Sequence, residues 1–208
     1  AAISDTHGRR SWSIPACDVF IHAGDITGWG LLEETAQFAD WLREQMKSEP
    51  GPRHAIIVAG NHDECFESTP DKVRELFGDS IHILQDQSLV IDGVTFYGSP
   101  WTPPFMNWHF MAEENRLAEL YKQIPEEVDV LITHGPPRGI LDPGWTGTPV
   151  GSTALAEAIA HRRVRHHVFG HLHGAGGGIA QQGQTTYYNV AACDEKYIFR
   201  NEPRVFEV

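Results

Sequence analysis

Cysteine is scarce: Cys17, Cys65 and Cys193 are widely spaced and form no CxxC pair. That excludes a disulfide-framed scaffold. It predicts three unpaired, mostly buried thiols in a reducing, cytoplasmic setting. No stretch approaches the ~20 consecutive apolar residues of a membrane span, so no membrane partner is expected. No signal peptide is visible, and the chain opens already inside an apolar strand. Basic residues are also few: 16 Lys and Arg against 28 Asp and Glu give a net charge of −12. Long nucleic acid, which is held through its phosphates by clustered cations, is therefore not an expected partner. A small anionic substrate stays open, because bound cations dominate the field inside a metal site. Internal repeats, low-complexity tails and linkers are absent as well. The 208 residues read as one domain, 1–208, with a substantial core.

What the chain does have is a recurring juxtaposition of apolar runs and metal-liking side chains. Ala55-Ile56-Ile57-Val58-Ala59 leads straight into Gly60-Asn61-His62-Asp63. Ala1-Ala2-Ile3 runs into Asp5 and His7, and Asp18-Val19-Phe20-Ile21 into Gly24-Asp25. Val130-Leu131-Ile132 runs into His134, and Val168-Phe169 into Gly170-His171-Leu172-His173. In an open α/β sheet, ligands bind at the carboxyl ends of strands, so all five clusters can meet on one rim. Asp5 and His7, two apart, point to the same side if the segment is extended. His22, inside an apolar run, reads as a hydrogen-bonded core residue, and His166 and His167 as structural.

Between these strands, Leu31 to Met46 is the clearest helix, with Leu31, Phe38, Leu42 and Met46 on one face. It connects parallel strands and reads as packing only. Pro70 to Phe77 reads as a short helix with proline at its first position. Asp92-Gly93 is a hairpin signal between Leu89–Ile91 and Val94–Tyr97. Residues 100 to 111 are dense in aromatics and prolines. They form either a lid or wall that stacks on a base or aryl group, or a loop packing its own side chains; His109 is a candidate substrate contact. A further amphipathic helix covers Leu117 to Ile124, and Ser152 caps one that runs through Ile159. Thr185–Val190, Lys196–Arg200 and Arg204–Val208 read as strands closing a sheet.

The collected donors are Asp5, His7, Asp25, Asn61, His134, His171 and His173, with His62 beside them. A nitrogen and oxygen set without thiolate is too hard for a structural zinc knot and too rich in imidazole for calcium or magnesium. It suits a pair of Mn, Fe, Zn, Ni or Co ions, held roughly 3.5–4 Å apart by a shared carboxylate. Such a pair would generate hydroxide from a shared water, bind phosphoryl oxygens and stabilise an in-line displacement. The leaving alkoxide still needs a proton, and His62, adjacent to a ligand, is placed to supply it.

Asp5-x-His7, Gly24-Asp25, Gly60-Asn61-His62-Asp63, His134 and Gly170-His171-x-His173, in that order, resemble the five motifs of the calcineurin-like metallophosphoesterases. Tyr97-Gly98-Ser99-Pro100-Trp101-Thr102-Pro103 and Thr133-His134-Gly135-Pro136-Pro137 are similar to the metallophosphoesterase-domain (MPPED) branch and its microbial relatives. The resemblance implies a four-layer α/β/β/α sandwich of two mixed β-sheets flanked by helices. It also implies that Asp5, His7, Asp25 and His173 hold one metal and Asp25, Asn61, His134 and His171 the other. His62 would be the general acid and phosphate contact, and Asp63 has no assigned role beyond orienting His62. Ile26-Thr27-Gly28-Trp29-Gly30 lacks the arginine of Ser/Thr protein phosphatases.

The resulting expectation is a dinuclear, metal-dependent phosphodiesterase for small phosphodiesters such as cyclic nucleotides. Its cofactors would be two transition-metal ions, Mn2+ and Fe ahead of Zn2+, Ni2+ or Co2+. The alternatives are a phosphomonoesterase or nuclease with the same site, or a non-catalytic nucleotide- or metal-binding module. Whether the chain pairs as a homodimer stays open.

Overall fold

In the computed structural model, which describes residues 1–208, apolar runs become two stacked sheets. The first holds β1 (Ala2–Ile3), β2 (Val19–Ala23), β3 (His54–Val58) and β4 (Ile81–Ile83), paired in that order and parallel throughout. The second holds β5 (Gln87–Ile91), β6 (Val94–Ser99), β7 (Glu127–Thr133), β8 (Arg163–Phe169), β9 (Ile179–Gln182) and β10 (Thr185–Asn189). Its order is β5-β6-β7-β8-β10-β9, with antiparallel pairs at both edges and parallel pairs between. The expected pair of sheets thus resolves into one parallel and one mixed.

Burial on both faces explains the near-continuous apolar runs. Ile21, Ile56 and Val58 of the first sheet meet Phe96, Val130, Ile132 and Val168 of the second in a core between them. Outside the first sheet, α1 (Leu32–Lys47) and α3 (Pro70–Phe77) bury Phe38, Leu42, Val73 and Phe77. Outside the second, α4 (Glu114–Tyr121) and α5 (Thr153–Ala160) bury Leu117, Tyr121, Leu155 and Ile159. The layers run α/β/β/α. Ser152 caps α5 by accepting from Leu155 N at 3.1 Å.

Several expectations need correction. Lys196–Arg200 and Arg204–Val208 are not strands: they contribute only the isolated bridges Cys193 to Phe199 and Ala2 to Arg204. The Asp194 carboxylate accepts from Lys196 N, Ile198 N and Arg200 Nε, which folds the first segment into a loop. Leu31 lies outside the apolar face of α1 and is exposed. The short β4, β9 and α2 (Glu64–Ser68) were not anticipated, since three to five residues carry too little periodicity. The three cysteines are unpaired, with Cys65 and Cys193 buried. No helix is long and apolar enough to cross a membrane.

Candidate active site

All five sequence clusters converge at the carboxyl ends of β1, β2, β3, β7 and β8. Asp5, Asp25, Asn61 and His134 are almost wholly buried there. Three groups bring donor atoms within 4.8 Å of one another: Asp5, His7 and His173; His7, Asp25 and His62; Asp5, Asp25 and His134. Asp25 faces two ways. Its Oδ2 lies 3.8 Å from His7 Nε2, and its Oδ1 lies 3.4 Å from His134 Nε2. His134 Nε2 is also 2.9 Å from Asn61 Oδ1, and His173 Nε2 is 3.3 Å from Asp5 Oδ1. His171 enters none of the three groups; its ring stands 5.0 Å from that of His134.

The loops reach this arrangement through strained backbone rather than an extended one. Asp5, His7, Asp25 and His171 have φ of 52°, 44°, 55° and 66°, the left-handed region that side chains rarely adopt. The expected same-side reach of Asp5 and His7 along an extended segment is therefore incorrect. His7 reaches the site because its N–H donates to Asp25 O at 3.0 Å, carrying the loop after β1 across to that after β2. The glycines of three motifs have a shared reason. A Cβ on Gly24 would collide with the His134 ring, one on Gly60 with Asp25 and His134, and one on Gly170 with Asp5 and Ser4.

Backbone acceptors orient the imidazoles. His134 Nδ1 donates to Ala23 O at 3.0 Å, His173 Nδ1 to Asp194 O at 3.0 Å, and His62 Nδ1 to Gly28 O at 2.9 Å. Each presents Nε2 to the cleft, the arrangement by which metal-binding histidines are fixed. Asp5 accepts from Ser4 Oγ at 2.5 Å and from His171 N at 2.9 Å. His62 carries Trp108 stacked on its face at 4.1 Å.

Charge in the cluster is lopsided towards acceptors. Burial works against ionisation of Asp25, but the charge and hydrogen bond of His134 outweigh it and hold the carboxyl well below its usual range. Burial likewise opposes a proton on His134, yet the Asp25 charge overrides it and raises the pKa to about 9. His173 follows the same pattern: burial opposes its proton, and the hydrogen bond and charge of Asp5 prevail to raise the pKa. Burial lowers His7 and His171 to about 4, which leaves both neutral. Two carboxylates held towards ionisation and several ring nitrogens thus share a few ångströms, with His134 and His173 both drawn towards their protonated forms. A donor set of this kind, wanting positive charge at its centre, fits bound cations.

Some contributions were invisible in the sequence. Asp63 does not orient His62; it accepts from Gly60 N, Ile26 N, Thr27 N and Thr27 Oγ1 at 2.8–3.2 Å, bracing the loops of Asp25 and Asn61 together. Burial, then the nearby Asp25 charge, push its pKa up to about 6. Nor is α1 packing only. Glu34 in its first turn accepts from Gly28, Trp29 and Leu31 N–H groups at 3.1–3.2 Å, fixing the loop whose Gly28 carbonyl holds His62. His22 is a core residue paired with Thr6 Oγ1 at 3.0 Å, and His167 pairs with Thr133 Oγ1 at 2.8 Å, as expected. His109 is engaged by Glu67 at 3.1 Å, while its neighbour Trp108 meets the site.

A family model described as calcineurin-like phosphoesterase matches residues 1–175. Human metallophosphoesterase domain-containing protein 1 is 35% identical over 235 residues, covering 99% of this chain and 69% of the relative. UPF0046 protein K07C11.7 of Caenorhabditis elegans is 33% identical over 224 residues, covering 99% and 73%. One solved crystal structure superposes with a TM-score of 0.63 at 16% identity, over 90% of this chain and 88% of that one. At such identity it speaks to the fold alone.

Proposed function

The chain belongs to the calcineurin-like phosphoesterase family of metal-dependent phosphoester hydrolases, and on that premise we propose a dinuclear phosphodiesterase acting on small phosphodiesters, cyclic nucleotides first among them. The observation that carries this reading is Asp25, whose two oxygens face His7 and His134 separately. Asp5, His7 and His173 would hold one ion and Asn61, His134 and His171 the other, with Asp25 between them. The donor chemistry favours Mn2+ and Fe, with Zn2+, Ni2+ and Co2+ compatible. Such a pair, when bound, activates the attacking water and neutralises charge on the phosphoryl group.

The remaining work falls to the chain. Because the Nδ1–H of His62 is committed to Gly28 O, the proton available to a leaving alkoxide is one on Nε2. Trp108 covers one face of that ring and limits its rotation. Backbone groups, Ser4 and the donors themselves make up the hydrogen-bonding and ionic partners of the site, without a lysine or arginine. That charge balance suits a monoanionic diester better than a dianionic monoester. The net charge of −12 disfavours a polymeric nucleic acid.

The test is turnover by metal-reconstituted protein of bis-nitrophenyl phosphate, cyclic nucleotides, nitrophenyl phosphate and single-stranded DNA, alongside metal analysis. The diesters should be cleaved fastest, with two ions per chain. Faster monoester or DNA cleavage would shift the assignment to monoesterase or nuclease, and tight nucleotide binding without turnover to a binding module. His62→Ala should keep both ions and slow alkyl leaving groups more than nitrophenyl ones. Equal losses for both would contradict the acid role.

A further inference from the structure

Beyond the residues matched by the family model, the segment after β10 folds back over the site and carries Tyr197 to its edge. The Tyr197 ring lies 4.7 Å from His7, 5.3 Å from His173 and 6.3 Å from His62, centre to centre. It stands edge-to-face on the first two, yet 44% of the residue remains exposed. A side chain placed to stabilise the core would be covered; this one keeps open surface beside His62, the proposed general acid.

The backbone holds Tyr197 there against its own preference. Its φ is 57°, a conformation that is unusual for an aromatic residue and persists only where neighbouring contacts enforce it. Asp194 supplies those contacts. Its carbonyl accepts both Tyr197 N at 2.8 Å and His173 Nδ1 at 3.0 Å. Its carboxylate takes Lys196 N, Ile198 N and Arg200 Nε, each at 2.9 Å, and its own N–H donates to Ile198 O at 2.9 Å. One aspartate therefore fixes a donor histidine and the aromatic ring beside it in a single register.

We infer that Tyr197 forms the wall of the leaving-group side of the site and gives it a preference for an aromatic group, an aryl ring or a nucleobase, carried on the phosphoester. This rests on the phosphoesterase reading above. A planar π-face packs on an exposed tyrosine regardless of its hydrogen-bonding pattern, so the preference is for aromaticity rather than for one base.

Equilibrium binding tests this without turnover. Methylphosphonate and phenylphosphonate, which cannot be hydrolysed, are titrated calorimetrically into metal-replete wild-type, Tyr197→Phe and Tyr197→Ala proteins. The phosphonate analogues of ribose 5-phosphate and adenosine 5′-phosphate, with a methylene in place of the ester oxygen, form a second pair that separates a nucleobase from a simple aryl ring. Wild type and Tyr197→Phe should favour the aromatic member of at least one pair by about tenfold. Tyr197→Ala should lose that preference, keep its metal content and bind methylphosphonate as before. An aromatic preference that survives in Tyr197→Ala overturns the inference. So does an equal loss for both members of a pair together with lost metal, which would mark Tyr197 as support for His7 and His173. Failure of metal-replete wild-type protein to bind any member of either pair would overturn this inference, and if no diester is turned over either, the diesterase reading falls with it. Normal aromatic preference without diester turnover would count against the diesterase reading alone.

Discussion

His134 sits with Nδ1 on the Ala23 carbonyl and Nε2 on Asn61 Oδ1, with Asp25 Oδ1 3.4 Å away. Burial alone would strip its proton, but the Asp25 charge keeps it, at a pKa of about 9. A raised histidine pKa stabilises the folded chain fully below about 6.5, and that contribution is lost as pH climbs through about 9. A metal ion on Nε2 must displace the same proton, so affinity should rise with pH up to about 9. Calorimetry at pH 7, in buffers of different ionisation enthalpy, should show about one proton released per ion at this site. No release would mean that His134 binds no metal. At this scale the sequence was most legible, because the donors are chemically conspicuous residues placed straight after apolar runs. Asp63 and Ser4 were hidden, since bracing backbone N–H groups or a carboxylate leaves no mark of spacing.

Helix α1 shows how an element far from the chemistry sets its geometry. Glu34 gathers three N–H groups of the loop from Gly28 to Leu31, and that loop offers Gly28 O to His62. Glu34→Ala should leave both ions in place but free the His62 ring. Steady-state kinetics should show kcat for an alkyl diester falling by roughly tenfold, the low end of a typical general-acid contribution being about a hundredfold. An unchanged kcat would show that Trp108 alone orients the ring. The helix was readable from its apolar spacing, whereas its capping glutamate looked like an ordinary first-turn acid. Similarly, Lys196–Arg200 holds the aromatic and β-branched residues of a strand in Tyr197, Ile198 and Phe199. A single side chain, Asp194, overrides that pattern by closing hydrogen bonds within the segment.

Across the whole molecule, the site is shared between the two sheets. The first contributes Asp5, His7, Asp25, Asn61 and His62, and the second His134, His171 and His173. Ser4 N donates to Val190 O at 3.0 Å and Ala192 N to Ser4 O at 2.9 Å, so the rim is already stitched by backbone. A cation touching Asp25 and His134 would add a second fastening between the layers. At a metal concentration about a hundredfold above Kd, binding adds about 2.7 kcal/mol. For a chain of this size that raises Tm by roughly 5–10 °C. Scanning calorimetry with manganese against chelator should show the shift, and an unchanged Tm would argue against ions bridging the sheets. The five apolar runs announced the strands that carry the donors, and the family resemblance implied two sheets, but pairing order was not legible, because β4 and β9 are too brief to announce themselves.

The left-handed backbone at His171, φ 66°, inverts a familiar ranking of substitutions. An L-residue there costs about 1–2 kcal/mol, and glycine gives back about 0.5–1 kcal/mol through its freer unfolded chain. In chelator-treated protein, His171→Gly should therefore melt above His171→Ala, by roughly 0.5–1 kcal/mol; the reverse order would show that the loop relaxes. Glycine at that corner would give up a metal donor for a turn that holds no steric debt.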